Sequence, residues 1–135
     1  MENISSGEIK SFRSVTLHTS GMRFVSEHEI IMRDGGKAEV SLYGIRYVKG
    51  KDERILEKRA VCDIETVLKL LNGCELLSWD GFDGPHPEDV LDGTMFSLKA
   101  TVNGDQTICA RGSENFPKHY REFTGGLYDI LNNRD

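Results

Sequence analysis

Two charged clusters in the C-terminal half of this 135-residue chain hold the side chains that could do chemistry. The first is a run of carboxylates: Asp80, Asp83, Glu88, Asp89 and Asp92 fall within thirteen residues, interrupted by Gly81, Gly84, Pro85 and Pro87. Hard cations such as calcium take six to eight oxygens from loops of this kind. The spacing departs from the EF-hand order, in which oxygens alternate and a distant glutamate follows. Asp-Gly pairs are equally at home in turns, where the carboxylate bonds nearby backbone. No metal ligand set is therefore assigned. The second cluster is Arg111, Lys118, His119 and Arg121, opposed nearby by Glu114 and Glu122. Cations in a first helical turn work against the helix dipole by about a few tenths of a kcal/mol each. An anion held by the Gly112-Ser113 amides would offset that. So would the acidic loop folded over the helix start, and long side chains reaching solvent would reduce the cost. Ser113 or Asn115 as a helix cap is the plainer reading of the same motif.

Trp79 and Phe82 bracket Asp80-Gly81 at the mouth of the acidic run. Large aromatics dominate interface energetics, but they also anchor loops to a core, which is the favoured reading here. Nucleophilic and cofactor chemistry finds little support. Ser113 lies in Arg-Gly-Ser-Glu-Asn, which is not a G-x-S-x-G elbow, and neither a Walker A nor a G-x-G-x-x-G motif occurs. His18, His28, His86 and His119 fall in separate predicted elements, without the spacing of zinc ligands. Cys109 has no base near it in sequence to activate it. No catalytic residue and no cofactor is expected.

Composition narrows the field further. Hydrophobic residues make up 38% and charged residues 29%, ordinary values for one soluble domain spanning 1–135. The first eight residues are patternless and are expected to be disordered. A domain of this length buries roughly two-thirds of its unfolded surface and needs no staple. Three cysteines without paired spacing suit a reducing cytoplasm. No apolar run approaches a membrane span. The net charge of −5 is concentrated: Leu70 to Leu98 has six carboxylates and no Lys or Arg, so the remainder carries one net positive charge. Nucleic-acid binding wants a basic stripe and is not expected.

The elements that must position these clusters follow from periodicity. Strands are predicted over Ile9–Thr19, His28–Arg33, Ala38 onward and Arg54–Cys62, with Asp34-Gly35-Gly36 as a hairpin turn and 49–53 as a charged one. Asp63 is placed as the N-cap of a helix whose Ile64, Val67, Leu68 and Leu71 share one face, ended by Asn72-Gly73 in left-handed geometry. The loop 78–93 is long enough to be functional. Thr94–Val102 and Thr107–Arg111 form a hairpin around Asn103-Gly104-Asp105. Pro117 is expected to open a last helix that buries Tyr120, Phe123, Leu127, Ile130 and Leu131. Gly125-Gly126 inside it requires either a break or a close neighbour. The order β-β-β-β-α-loop-β-β-α defines an α+β fold, a mostly antiparallel sheet with two helices on one face.

The pattern Asp92-Gly93, Phe96-x-Leu98, Gly104, Ile108-x-Ala110 and Gly112-Ser113-x-x-Phe116-Pro117 resembles the C-terminal half of a group of small bacterial proteins, over roughly 40% of the chain. The resemblance implies a similar α+β arrangement and a bacterial origin. It implies no activity.

Two functions compete at this point. The first is a non-enzymatic protein-binding domain that uses loop 78–93 against a partner with a basic surface, as an inhibitor or immunity protein would. The second is a small ligand- or metal-binding protein or enzyme with an anion site at the start of the last helix. The candidate surface for both is Trp79, Asp80, Phe82, Asp83, Glu88, Asp89, Asp92, Arg111, Lys118, His119 and Arg121. A third class, an oligomer-forming subunit, would show as an apolar patch where Tyr43, Ile45 and Tyr47 share a strand face.

Overall fold

The computed structural model describes residues 7–22, 24–90 and 93–132. Asp92 lies outside them. The strands are β1 (Phe12–Ser20), β2 (Val25–Arg33), β3 (Lys37–Val48), β4 (Lys51–Asp63), β5 (Asp83–Gly84), β6 (Met95–Val102) and β7 (Gln106–Ser113). The helices are α1 (Ile64–Gly73) and α2 (Tyr120–Leu131), with a 3₁₀ turn at Leu76–Trp79. One sheet contains every strand, in the order β4-β3-β2-β1-β6-β7-β5. All neighbours are antiparallel except β5 and β7. The two hairpin systems meet where β1 pairs with β6. The expected α+β architecture is the one observed.

Alternation along the strands decides which face is covered. Val15, Leu17, Ile30, Ala38, Val40, Leu98, Ala100, Ile108 and Ala110 are buried with Val67 and Leu71 of α1 and Phe123, Leu127 and Leu131 of α2. Both helices pack over the β3–β4 end of this face and against each other. The opposite face carries Thr16, His18, Glu27, Glu29, Ser97 and Lys99 and remains open. Its charges pair across strands: Arg54 with Glu27 at 2.7 Å and Arg33 with Glu39 at 2.7 Å. Arg54 also stacks on Tyr43, 3.9 Å from the ring centroid. The Tyr43–Ile45–Tyr47 stripe is thus not a uniform apolar patch, because Tyr43 is buried while Tyr47 is 75% exposed.

Several local expectations are corrected. Lys49 and Gly50, both at positive φ, suffice for the β3–β4 turn, and β4 already begins at Lys51. Asp63 occupies the N-cap position in extended geometry but makes no cap bond. Its carboxylate accepts from Lys37 Nζ at 2.6 Å, and the Ile64 amide donates to the Gly36 carbonyl instead. Gly73 remains helical, and the left-handed residue after α1 is Glu75, at φ 54°. Asn72 ties down the N-terminal segment: its amide group exchanges two hydrogen bonds with Ile9, which is buried. The Glu8 carbonyl accepts from Asn103. At Gly125-Gly126 the helix does not break. A Cβ on Gly126 would lie 2.3 Å from Leu70 Cδ1, so glycine there permits the close α1–α2 approach.

Candidate functional site

The described part of the 78–93 segment, residues 78–90, is less a free loop than a cover for β7. The 3₁₀ turn buries Trp79, whose indole N–H donates to the Lys118 carbonyl at 3.0 Å. Its ring meets Phe123 edge-on at 5.5 Å. From there the chain runs along the outer side of β7. The Gly81 amide donates to the Cys109 carbonyl, the Cys109 amide to Asp80 Oδ1 at 2.9 Å, and the Arg111 amide to the Phe82 carbonyl. Asp83 and Gly84 then pair in parallel with Arg111 and Gly112. Phe82, half-buried, packs on Phe96. Trp79 and Phe82 therefore anchor the segment, and Asp80 is spent on backbone. Asp83 remains exposed and lies 3.5 Å from Arg111. Glu88 and Asp89 reach solvent.

The remainder of the predicted surface divides in two. Arg111 belongs to the open sheet face with Asp83. Lys118, His119 and Arg121 sit beyond β7 at the start of α2, which begins at Tyr120 and not at Pro117. Pro117 to His119 form a turn in which His119 takes the left-handed N-cap position, at φ 70°. The proposed caps act elsewhere: Ser113 bonds His86, and Asn115 donates to the Pro85 carbonyl. The helix start already holds an anion of its own. The backbone N–H of Glu122 and then the His119 ring keep the Glu122 carboxyl below its ordinary range. His119 stands between Glu122, 3.3 Å from Nδ1, and Glu75, 3.6 Å from Nε2. Behind it Tyr120 packs on Phe116 in a tilted arrangement with centroids 4.6 Å apart, and burial pushes its phenol up to about 12. The groove beside the helix start adds Glu114, whose carboxylate accepts from the Thr94 amide at 2.5 Å.

A different concavity emerges on the open face, and sequence reasoning missed most of it. Register aligns His18, Ser97 and Arg111 in one row across β1, β6 and β7, and Ser20, Met95 and Ser113 in the next. Each step is one strand spacing, about 4.8 Å. The segment Asp83–His86 rises along one side and closes a cleft of about 490 Å³. His86 is fixed at both ring nitrogens. Nε2 faces the Val90 carbonyl, which can only accept, so Nε2 carries the hydrogen. In the neutral ring Nδ1 is then the acceptor, and Ser113 donates to it at 2.7 Å. The cleft thus offers a polarised hydroxyl, a guanidinium and two imidazoles, lined on the apolar side by Met95, Phe96 and Pro85. Asp83 and Arg111 already belong to the candidate surface read from the sequence, and the outward alternation of Ser97 and Lys99 is a further signal there. That His18 completes the row depends on the β1–β6 pairing, which joins residues roughly eighty apart.

Among the described residues, no group of three or more His, Cys, Asp or Glu side chains is arranged to hold a metal ion. None of the described helices is long and apolar enough to cross a membrane. Neither a protein-family model nor a curated protein sequence matches the chain.

Proposed function

We propose that this chain is a non-enzymatic binding domain for a protein partner, with the acidic segment 78–93 and the cleft beneath it as the working surface. The observation that carries the reading is the division of charge at that place. Glu88 and Asp89 point outward without being consumed by the fold, while Arg111, His18 and His86 line the hollow. A partner that sets basic residues against Glu88 and Asp89 and inserts a polar or carboxylate-bearing side chain beside Arg111 matches both halves. Asp83 would exchange its exposed pair with Arg111 for contacts to the partner at small cost, since exposed pairs contribute about 0–1 kcal/mol. Three cysteines, none in a disulfide, are consistent with work in the cytoplasm. The test uses the native chain and a D83N/E88Q/D89N variant as parallel baits. Loss of a partner by the neutralised bait supports the reading; undiminished capture of every partner refutes it.

A second reading, a small-ligand site or enzyme, is favoured by the Val90–His86–Ser113 relay. A hydroxyl bonded to an oriented base is the arrangement of an activated nucleophile. A serine-directed phosphonate probe decides it. Labelling of Ser113 that is abolished in His86→Asn would move the protein to the acyl-transfer enzymes. An unlabelled native chain would remove that option.

A further inference from the structure

Strand β4 is the terminal strand of the sheet, thirteen residues long, and no strand pairs with its outer side among the described residues. Native sheets usually blunt such an edge, often with lysines or a bulge. Here the charges have both signs and a particular order: Asp52-Glu53-Arg54-Ile55-Leu56-Glu57-Lys58-Arg59. We propose that two copies of this chain join through β4, antiparallel, about a two-fold axis normal to the sheet at Ile55.

The bulge makes the register work. Lys58 pairs with Leu42 and Leu56 with Tyr43, so Glu57 is the extra residue. Its carboxylate is turned inward: a Cβ on Gly44 would lie 2.3 Å from Glu57 Oε2. Removing one residue from the alternation places Asp52, Arg54, Leu56 and Arg59 on the open face and Glu53, Ile55 and Lys58 on the helix face. Side-chain contacts agree. Arg54 reaches Glu27 and Arg59 reaches Ser41 on the open side, whereas Lys58 reaches Asn132 at the end of α2. Counted in ladder positions, Asp52 and Arg59 are then equally far from Ile55, as are Glu53 and Lys58.

A two-fold axis at Ile55 therefore sets Asp52 opposite the partner's Arg59 and Glu53 opposite the partner's Lys58, each pair occurring twice. Opposite charges directly across an antiparallel pair stabilise it, and like charges destabilise it. The adjacent registers are penalised. A shift of the centre to Leu56 sets Arg54 against the partner's Arg59, and a shift to Arg54 sets Lys51 against the partner's Lys58. Leu56, 46% exposed in the single chain, would meet the aliphatic stem of the partner's Arg54. A two-fold contact requires one patch complementary to itself, and this order of charges provides it.

Sedimentation equilibrium of the full chain over micromolar to millimolar concentrations tests the proposal. The native chain is expected to dimerise. Glu53→Lys and Lys58→Glu each put like charges across the axis and are expected to weaken the dimer by about tenfold or more. Mixing the two variants restores opposite charges at those positions and should give a heterodimer of near-native affinity. Circular dichroism confirms that each variant is folded. A native chain that stays monomeric at millimolar concentration overturns the proposal. So does a dimer that both variants leave intact, or one that the mixture does not restore.

Discussion

Strands β7 and β4 both run along the flanks of the sheet, yet only β7 is covered. Its outward amides and carbonyls at Cys109 and Arg111 are taken up by Gly81, Asp80 and Phe82, and the cover is pinned under α2 by Trp79. Strand β4 is longer, and among the described residues no strand pairs with the backbone groups along its outer side, while charges stand on nearly every residue from Lys51 to Arg59. Covering an edge requires apolar anchors and backbone matching, and these fix the segment in place. Leaving an edge open requires charge to keep unwanted strands away. The covered edge gains a cleft as a by-product of its cover. The open edge retains the capacity to pair.

Removing the pin should have the largest effect. Trp79 is essentially buried, so Trp79→Ala should cost about 3–5 kcal/mol in denaturant unfolding. An equal loss from an edge residue of β4 such as Glu53→Ala would show that the edges do not differ as argued. Next comes Gly112→Ala. A Cβ there would stand 2.1 Å from the Asn115 carbonyl oxygen and 2.8 Å from the Phe96 ring. The backbone after β7 must shift, at about 1–3 kcal/mol, and the change in the cleft should appear as altered chemical shifts of His86. Asp80→Ala strips the acceptor from the Cys109 amide while leaving the rest of the cover. The expected loss is about 1 kcal/mol, with faster amide hydrogen exchange at Cys109 as the local signature.

Between the edges stands His28, on the helix-facing side of β2, with Nδ1 buried and without a hydrogen-bond partner among the described residues. Burial holds its pKa below the ordinary 6.5. The unfolded chain therefore takes up this proton first, and stability falls as pH drops below about 6.5 towards the folded value. Thermal melts across that window should flatten in His28→Leu. A slope unchanged by that substitution would assign the acid limb to groups along one of the edges.

Legibility in the sequence followed sequence distance. Hairpins turned by Gly35-Gly36 and Asn103-Gly104 were readable because their partners are adjacent and their glycines take positive φ. The apolar stripes of α1 and α2 were readable by period. The pairing of β1 with β6 was not, because nothing local encodes a contact between residues so far apart, and with it went the row His18–Ser97–Arg111. The helix start misled for a related reason. Only Glu114 and Glu122 opposed Lys118, His119 and Arg121 nearby in sequence; Glu122 does supply the charge the dipole wants, but Glu75, which folds back to His119 from beyond α1, could not be read from the local sequence. Trp79 as an anchor was correctly favoured, since a lone tryptophan beside a glycine-rich run has few other places to put its ring.

The smallest expected effect is the one that separates the edges most cleanly. In dilute solution, below the dimer's dissociation range, Glu53→Lys should change unfolding free energy by no more than about 0.5 kcal/mol, because an exposed side chain with no partner among the described residues has little to lose. The same substitution should act strongly on self-association. A covered edge cannot show that split: every change along the outer side of β7 alters the fold first. If Glu53→Lys destabilised the dilute monomer as much as Asp80→Ala does, the outer side of β4 would be part of the folded unit and not a surface kept for pairing.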